Sequence, residues 1–357
     1  SAGDAATAMA WIRCLRRLNG DDHHKGRMAL QVDLSATLFE ETGATTKKAS
    51  KGRTDVDFRP SDLFRHTVVH YGLAEAIRDQ IVKKPILERV EVKNAQTGEI
   101  EQLVREGQPN AWEKYRNLLV TGIQRWKKVR HVLQTEGDKR KPILFVLCSD
   151  RNEAAEIANF LTYREATREA GSEVRGFPDP DTGEPMFVEQ DIDGTLRSTV
   201  IQIHIGSKEE ENEEAWEKIR QTVNAIDHDE IPDPSGRTNE DGSPVMIANP
   251  YNVVISVMML KEGWDVRNVK VIVPVRPCGS RTLTEQTLGR GLRRMHPPLL
   301  DEEGGASFNK EELFVIEHPS FREIINQIDD LVETKSSDEI DHAPEYVPIP
   351  QKAVFEE

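Results

Sequence analysis

The apolar residues in the C-terminal two thirds of the chain gather in short continuous runs that polar segments separate. Five of these runs predict strands, near residues 143–148, 199–205, 253–258, 270–275 and 312–317. Continuous apolar runs of this length are typical of parallel strands that are buried on both faces. Apolar residues also recur at helical spacing over 111–133 and 152–163. The alternation predicts an α/β fold with helices flanking a parallel sheet.

Periodicity and turn residues predict the remaining elements. They are helices at 5–18, 70–85, 208–226 and 321–332, a strand at 28–34, a hairpin at 86–104, and polar loops or insertions at 40–60, 164–197 and 231–244. The helix at 111–133 carries many Lys and Arg residues, which predict either a solvated charged face or a track for phosphates. Residues 334–357 are polar and contain three prolines, which indicates an extended tail or linker.

The clearest chemical signal lies in residues 253–269 and 284–294. The first stretch reads VVISVMMLKEGWDVRNV, a strand that breaks into a glycine turn and presents Asp265. The second reads TEQTLGRGLRR and predicts a helix. At helical spacing Gln286, Arg290 and Arg293 share one face, which therefore carries an amide and two guanidinium groups.

The same predicted helix has an apolar face and two glycines. Leu288, Leu292 and Met295 recur at helical spacing, which predicts that this face packs against a sheet. Gly289 and Gly291 each cost roughly 1 kcal/mol against alanine inside a helix. That cost indicates that a ligand or a second domain approaches the backbone closely at these positions.

The two stretches resemble motifs V and VI of superfamily 2 helicases. Their sequences are similar to those of the motor (Res) subunits of type III restriction endonucleases and related DEAD/DEAH-type helicases. The resemblance implies that Gly263, Asp265 and Gln286 bind ATP, with Asp265 near the ribose. It also implies that Arg290 and Arg293 reach the γ-phosphate from the second of two RecA-like domains.

Shorter segments resemble other parts of the same motor. Ser35-Ala36-Thr37 resembles motif III, which couples nucleotide state to the nucleic-acid track, and Ser149 lies near motif IV. Ser256, in motif V, is placed by the resemblance near the DNA backbone. The run from Leu73 to Pro85, LAEAI followed by VKKP, resembles the connector between the two motor domains.

Two motifs of a complete motor are missing from this sequence. It contains no G-x-x-x-x-G-K-[S/T] phosphate loop and no acid-rich motif II before residue 35. We therefore expect the back part of a motor that is inactive alone, with the ligands for Mg²⁺ in a missing N-terminal part. The expected divisions are the end of a first RecA-like domain with its connector, a linking hairpin and helix, a second RecA-like domain, and a tail, at 1–85, 86–141, 142–333 and 334–357.

Composition narrows the class of protein further. The net charge of −15 argues against a general nucleic-acid binder, although a local groove of Lys and Arg can still hold phosphates. No apolar run approaches the roughly 20 residues that span a membrane. Cys14, Cys148 and Cys278 are widely spaced, so we predict neither a disulfide framework nor a metal cluster. Because the N-terminus lacks the pattern of a signal peptide, we expect a cytoplasmic protein.

The resemblance implies an ATP-dependent DNA translocase or helicase of a type III-like restriction or related defence system. Its implied cofactors are ATP and Mg²⁺, and its implied partners are double-stranded DNA and a modification (methyltransferase) subunit. The alternative is a RecA-like module that binds nucleic acid or a partner without hydrolysing ATP. A small-molecule enzyme on a doubly wound sheet is a third hypothesis, because paired arginines also bind substrate carboxylates.

Overall fold

The computed structural model describes a set of ranges that lie mostly in the C-terminal three quarters of the chain. These are residues 20–21, 24–25, 73–89, 92–93, 100–138, 140–165, 167–179, 181–190, 194–203, 225–233, 236–257, 266–275, 288–296, 299–300, 306–307, 311–316, 318 and 333–336. The chain divides into two compact units, Ser1–His70 and Tyr71–Glu357. In the first unit the described residues form one short antiparallel pair.

Helices and strands alternate in the second unit. The strands of the chain are β1 (Gly20–Asp21), β2 (His24–Lys25), β3 (Lys84–Arg89), β4 (Val92–Lys93), β5 (Ile100–Glu101), β6 (Ile143–Cys148), β7 (Val188–Gln190), β8 (Leu196–Ser198), β9 (Val200–Ile203), β10 (Glu230–Pro232), β11 (Met246–Ala248), β12 (Val253–Val257), β13 (Val269–Pro274), β14 (Leu299–Leu300), β15 (Ala306–Ser307), β16 (Glu312–Ile316) and β17 (Glu333–Ser336). Among the described residues, the helices are α1 (Leu73–Arg78), α2 (Ala111–Thr135) and α3 (Arg151–Tyr163), and residues 288–291 form a further helical turn.

Seven strands form one parallel sheet in the order β17-β3-β16-β13-β6-β12-β9. At its centre, β6 pairs with β12 and β13, so that Phe145 lies between Val254 and Ile272. The five strands predicted from the apolar runs are all present, with ends that differ by at most two residues from the prediction. The predicted α/β fold, a RecA-like parallel sheet flanked by helices, is confirmed.

The sheet is buried on both faces because alternate side chains of its central strands enter two separate cores. Leu144, Val146 and Cys148 pack in the core beneath α2 and α3. Ile143, Phe145 and Leu147 pack in the opposite core, which also contains Leu288 and Leu292. Every residue of β6 and β13 is buried, which explains why β6 reads as an unbroken apolar run and β13 as an apolar run interrupted only by Lys270.

Helix α2 lies directly on the sheet. It begins at Asn110, whose side chain accepts a hydrogen bond from the Glu113 N–H at 2.9 Å, the usual role of an N-cap. Trp112 stacks on Phe160 of α3 with ring centroids 3.9 Å apart. At Gly122 the backbone of α2 approaches Val273 so closely that a Cβ atom would collide with the Val273 side chain.

The basic residues of α2 do not form a single solvated face. Arg125 is 1% exposed and donates to Glu88 of β3 through Nε and Nη2, both at 2.7 Å. The Lys127 amine bonds to Asp179 and Asp181 in the inserted segment. Arg130 lies over the Trp126 ring at 5.3 Å. Arg125 thus joins α2 to the sheet and Lys127 joins it to the insertion, whereas the Arg130 contact lies within α2.

Three segments differ from the sequence prediction. The predicted 86–104 hairpin is reduced to β4 and β5, because β3 instead enters the parallel sheet next to β16. The polar loop predicted at 231–244 begins within the antiparallel pair β10 and β11. The insertion contains the pair β7 and β8, and its Phe177 and Phe187 are buried against the core of α2.

The predicted domain boundaries remain predictions. The structure places β3 and α2, which we expected to link two domains, in the compact unit that contains the large sheet. The predicted elements at 5–18, 28–34, 40–60 and 321–332 lie outside the described residues, as does most of 208–226. In the described ranges, no helix has the length and apolar character that crossing a membrane requires.

Candidate functional site

Residues 288–296, which we call the arginine segment, lie against the sheet face opposite α2. Residues 288–291 are helical, and the chain then turns along the amino-terminal edge of the sheet. Leu288, Leu292 and Met295 are buried, as predicted from their helical spacing. The apolar side of the segment is thus fixed to the sheet.

The two glycines of the segment have different surroundings. A Cβ atom at Gly291 would lie 2.8 Å from Leu313 Cδ2 and 2.9 Å from Ile272 Cδ1. A Cβ atom at Gly289 would meet nothing within 4 Å. Within the described residues, the backbone is therefore approached closely at Gly291 but not at Gly289, and by side chains of the sheet rather than by the ligand or second domain that we predicted.

We expect Gly291→Ala to lower the free energy of unfolding of the chain by about 1 to 2 kcal/mol, because the added methyl group overpacks a buried contact. Gly289→Ala is the matched control and should be neutral or stabilising by up to about 1 kcal/mol, since alanine favours the helix. Urea unfolding followed by circular dichroism measures both. Equal destabilisation by the two substitutions would contradict the packing described above.

The helical turn ends where Lys83, the residue before β3, meets it. The Lys83 side chain is fully buried, and its Nζ donates to the Gly291 carbonyl at 3.1 Å. The Lys83 backbone N–H donates to the Leu292 carbonyl at 2.8 Å. These bonds satisfy carbonyl groups that a helix end leaves without helical partners. Burial and then the nearby cation Lys270 lower the pKa of the Lys83 amine well below its usual range.

The carboxylate of Glu311, the residue before β16, binds the next backbone groups of the arginine segment. Its carboxylate accepts hydrogen bonds from the N–H groups of Met295 at 2.9 Å and His296 at 3.0 Å. Lys270 Nζ and Arg294 Nη2 each lie 3.3 Å from its oxygens. Burial alone would raise the pKa of Glu311, but Lys270 and the two N–H groups lower it to about 2.

Glu311 should make stability depend on acid. Its pKa in the folded chain, about 2, is below the ordinary value of 4.5, so its stabilisation is complete above pH 4.5 and is lost as the pH falls towards 2. A shift of this size corresponds to on the order of 3 kcal/mol. We expect the difference in unfolding free energy between wild type and Glu311→Gln to narrow by about 2 kcal/mol between pH 6 and pH 3.

Denaturant unfolding at a series of pH values measures this narrowing. The neighbouring Glu312 is exposed, and Glu312→Gln, as the control, should change the unfolding free energy by less than about 0.5 kcal/mol. A constant difference between wild type and Glu311→Gln from pH 6 to pH 3 would show that the Glu311 carboxylate is not held by these contacts.

The last residue of the segment reaches the other side of the sheet. His296 Nε2 lies 2.5 Å from Asp138 Oδ2, just beyond the end of α2, and His296 Nδ1 lies 3.3 Å from Glu311 Oε1. Arg140 also bonds to the Met295 carbonyl. A cleft of about 690 Å³, lined by α2, Lys270, His296 and Glu311, opens beside these groups. The arginine segment is therefore attached to the loop between α2 and β6 as well as to the sheet edge.

The three arginines of the segment have different environments. Arg290 and Arg293, the predicted catalytic pair, are half-buried. The side chain of Arg294 is only 8% exposed, paired with Glu311 and donating through Nη1 to the Gln80 carbonyl at 3.0 Å. We had expected a regular helix through Arg294. Instead the helix ends at Gly291, because Lys83 and Glu311 bind the backbone groups that follow.

The two predicted DNA-contacting residues that the structure describes, Ser149 and Ser256, lie apart from this segment. Ser149 is exposed and follows β6 at the carboxyl edge of the sheet, where its N–H donates to Glu153 at 2.9 Å. Ser256 is 1% exposed within β12, which argues against contact between its side chain and DNA in this conformation. Strands of five or six residues separate the two edges by roughly 15 to 20 Å. Ser35, Thr37, Gly263, Asp265 and Gln286 lie outside the described residues.

The described part of the site suits an anionic ligand but not a metal. Arg290 and Arg293 offer guanidinium groups, which bind phosphates well. No group of three His, Cys, Asp or Glu side chains in the described ranges can hold a metal ion. The guanidinium groups of the described residues therefore suit phosphate groups.

Sequence reasoning did not find Lys83, Glu311 or Lys270. The motif that contains Lys83 was noted only as a connector, and its two adjacent lysines gave no sign of which one is buried. One signal was available for Glu311. It immediately precedes an apolar strand, whose amino-terminal end is often where buried polar groups meet a neighbouring loop.

Comparisons with known proteins point in one direction. No protein-family model matches the chain. Over 185 residues, 50% of this chain, it is 28% identical to the type III restriction-modification enzyme EcoP15I Res subunit of Escherichia coli. Over 140 residues, 37% of this chain, it is 29% identical to the EcoPI Res subunit of Escherichia phage P1. The chain thus spans only 17% and 13% of these two relatives.

A solved structure is also similar to the chain. It is a fragment described as the HsdR subunit of a type I restriction enzyme from Vibrio vulnificus YJ016, with a TM-score of 0.35 and 12% identity. The similarity covers 78% of this chain and 40% of that one. The sequence matches to the two Res subunits confirm, at low identity, the resemblance that motifs V and VI implied.

Proposed function

We propose that this chain forms the end of the first motor domain and the whole second motor domain of an ATP-dependent DNA translocase or helicase in a type III-like restriction or related defence system. In this proposal Arg290 and Arg293 stabilise the charge that develops on the γ-phosphate. Gly263, Asp265 and Gln286 bind the nucleotide. Ser35, Thr37 and Ser149 couple ATP turnover to DNA or contact it, whereas Ser256, which the resemblance also placed near DNA, is buried within β12 and is left out of this set.

One observation carries the proposal: the arrangement of the arginine segment on a parallel sheet. Its apolar residues are buried, its backbone is bound by Lys83 and Glu311, and Arg290 and Arg293 remain half-buried beside them. Rigidly held guanidinium groups are what phosphoryl transfer requires, because its catalysis consists mostly of positioning and charge stabilisation. The relationship to Res subunits supports the same assignment.

The partners follow from the same proposal. The motor would act on double-stranded DNA and assemble with a modification subunit. ATP, bound with Mg²⁺, supplies the phosphoryl group. This chain supplies the cations of the second domain, and a first motor domain supplies the phosphate loop and the Mg²⁺ ligands that this sequence lacks.

We expect the 357-residue chain alone to show no DNA-stimulated ATPase activity, because it has no phosphate loop and no motif II. Phosphate release is measured with and without double-stranded DNA, for this chain and for a longer protein that includes those motifs. The longer protein should hydrolyse ATP. If the isolated chain hydrolyses ATP and Arg290→Ala abolishes that activity, the assignment of the phosphate loop and the Mg²⁺ ligands to a first motor domain is wrong. A longer protein that binds DNA without hydrolysing ATP would favour the non-hydrolysing module instead.

A further inference from the structure

The amine of Lys83 bonds to both of the motifs that carry the predicted chemistry. Its Nζ lies 2.6 Å from the Arg267 carbonyl oxygen and 2.6 Å from that of Val269, at the end of the stretch 253–269 that resembles motif V. It lies 3.1 Å from the carbonyl oxygen of Gly291, the last helical residue of the arginine segment. One buried side chain therefore joins two segments that are distant in sequence.

The three bonds use the full donor capacity of the side chain. A protonated lysine amine has three N–H groups and no acceptor, and three backbone carbonyls surround this one. No donor is left for a ligand, so Lys83 cannot contact a nucleotide while these bonds hold. Its action on any reaction has to pass through the backbone that it binds.

Two backbone hydrogen bonds reinforce the same junction. The Lys83 N–H donates to the Leu292 carbonyl at 2.8 Å, and the Lys84 N–H donates to the Glu311 carbonyl at 2.7 Å. The start of β3 is thus bound to the arginine segment on one side and to the residue before β16 on the other. Gly291 and Leu292 lie between Arg290 and Arg293 in the chain, so displacing them displaces both arginines.

We propose that Lys83 is a positioning residue. By holding Gly291 against the end of the motif V stretch, it sets the placement of Arg290 and Arg293. The proposal rests on the proposed function, because it assigns Lys83 to the ATP site of the motor. A guanidinium group that stabilises a transition state has to be placed within a fraction of an ångström, and small displacements cost much of the rate. A lysine that only stabilised the fold would affect all activities through the amount of folded protein.

The test uses the longer, ATP-hydrolysing protein and the variants Lys83→Met, Lys84→Met, Arg293→Ala and the double variant Lys83→Met/Arg293→Ala. Lys84 is the matched control because it is the adjacent lysine and is exposed. Lys83→Met should lower kcat roughly 10- to 100-fold while changing KM for ATP less than about twofold. Lys84→Met should behave as wild type.

The double variant separates positioning from general damage. If Lys83 acts through the arginines, its effect on kcat should be at least about fivefold smaller when Arg293 is already alanine. Two independent effects would multiply instead, and that result would overturn the proposal. A Lys83→Met protein that keeps its kcat, or that loses only ATP binding, would overturn it as well.

Circular dichroism and thermal unfolding are recorded for every variant before kinetics, with Lys83→Gln as a second substitution. If neither Lys83 variant folds while Lys84→Met does, Lys83 stabilises the whole sheet and the positioning role is overturned. Failure of the proposed function has a different pattern. In that case the wild-type protein lacks DNA-stimulated ATPase activity, or the Arg290→Ala and Arg293→Ala variants retain that activity. Either result contradicts the proposed function and, with it, the role of Lys83.

Discussion

Replacing Arg290 or Arg293 by alanine in the intact motor is expected to lower kcat for ATP hydrolysis by about 10³-fold or more. Affinity for ATP should change little. An arginine finger acts on charge that develops in the transition state, so its removal leaves ground-state binding mostly intact. Steady-state kinetics with saturating DNA, together with nucleotide-binding measurements, test both parts of this expectation.

Gln286→Ala and Arg294→Ala provide graded comparisons in the same assay. Gln286 should give a smaller loss of kcat, because a neutral amide stabilises developing charge less than a guanidinium. Arg294 should matter least for chemistry, since its side chain is paired with Glu311 and bonds to the Gln80 carbonyl. If Arg294→Ala is the most damaging variant and Arg290→Ala is near wild type, the roles assigned to these arginines are wrong.

The second large effect concerns the stability of the sheet. Arg125→Met should lower the free energy of unfolding by about 3 to 5 kcal/mol, because it leaves the Glu88 carboxylate buried without its partner. Both side chains are almost completely buried, at 1% and 0% exposure, and they are joined by two bonds of 2.7 Å. The Arg125 guanidinium carbon also lies 4.6 Å from the centroid of the Phe314 ring, so the substitution removes a cation–π contact as well.

A double replacement distinguishes loss of the pair from loss of packing. Arg125→Met combined with Glu88→Leu removes both charges. We expect this double variant to recover most of the unfolding free energy that Arg125→Met loses, because the attraction within a buried ion pair is little larger than the cost of desolvating its two charges. Lys128→Met, on the same helix but only half-buried, is the control and should change stability by less than about 0.5 kcal/mol. Urea unfolding gives all four values. A double variant as unstable as Arg125→Met would refute this account of the pair.

Much of the sheet was predictable because its central strands are apolar on both faces. β6 and β13 are covered by a core on each side, so their sequences carry almost no polar interruption. A strand was predicted to begin at Ile86, but its place in the parallel sheet was not, because β3 reads KPILER and contains the buried Glu88. That carboxylate is compatible with a buried strand only because Arg125 lies opposite it, and no local pattern reports a partner so far along the chain.

The candidate site likewise has one part that was predictable from the sequence and one part that was not. Burial of Leu288, Leu292 and Met295 follows from helical spacing, which is a local property. The end of that helix does not, because it depends on Lys83 and Glu311, which are far from it in sequence. Nothing in the adjacent lysines 83 and 84 distinguishes the buried one. Lys83 is the buried one because its amine bonds to three carbonyl groups, and these belong to two other segments of the chain.

The strand order has a consequence for how the protein is made. Strand β3 pairs with β16 on one side and β17 on the other, and both follow it by about 230 residues or more. At about 5 to 20 residues per second, a ribosome needs roughly 10 to 45 seconds to supply β16. Through that interval β3 has no neighbour in the sheet, and its unpaired edges are open to other chains. Chaperones that shield nascent strands should therefore raise the yield of this protein more than they raise the yield of proteins built from local contacts.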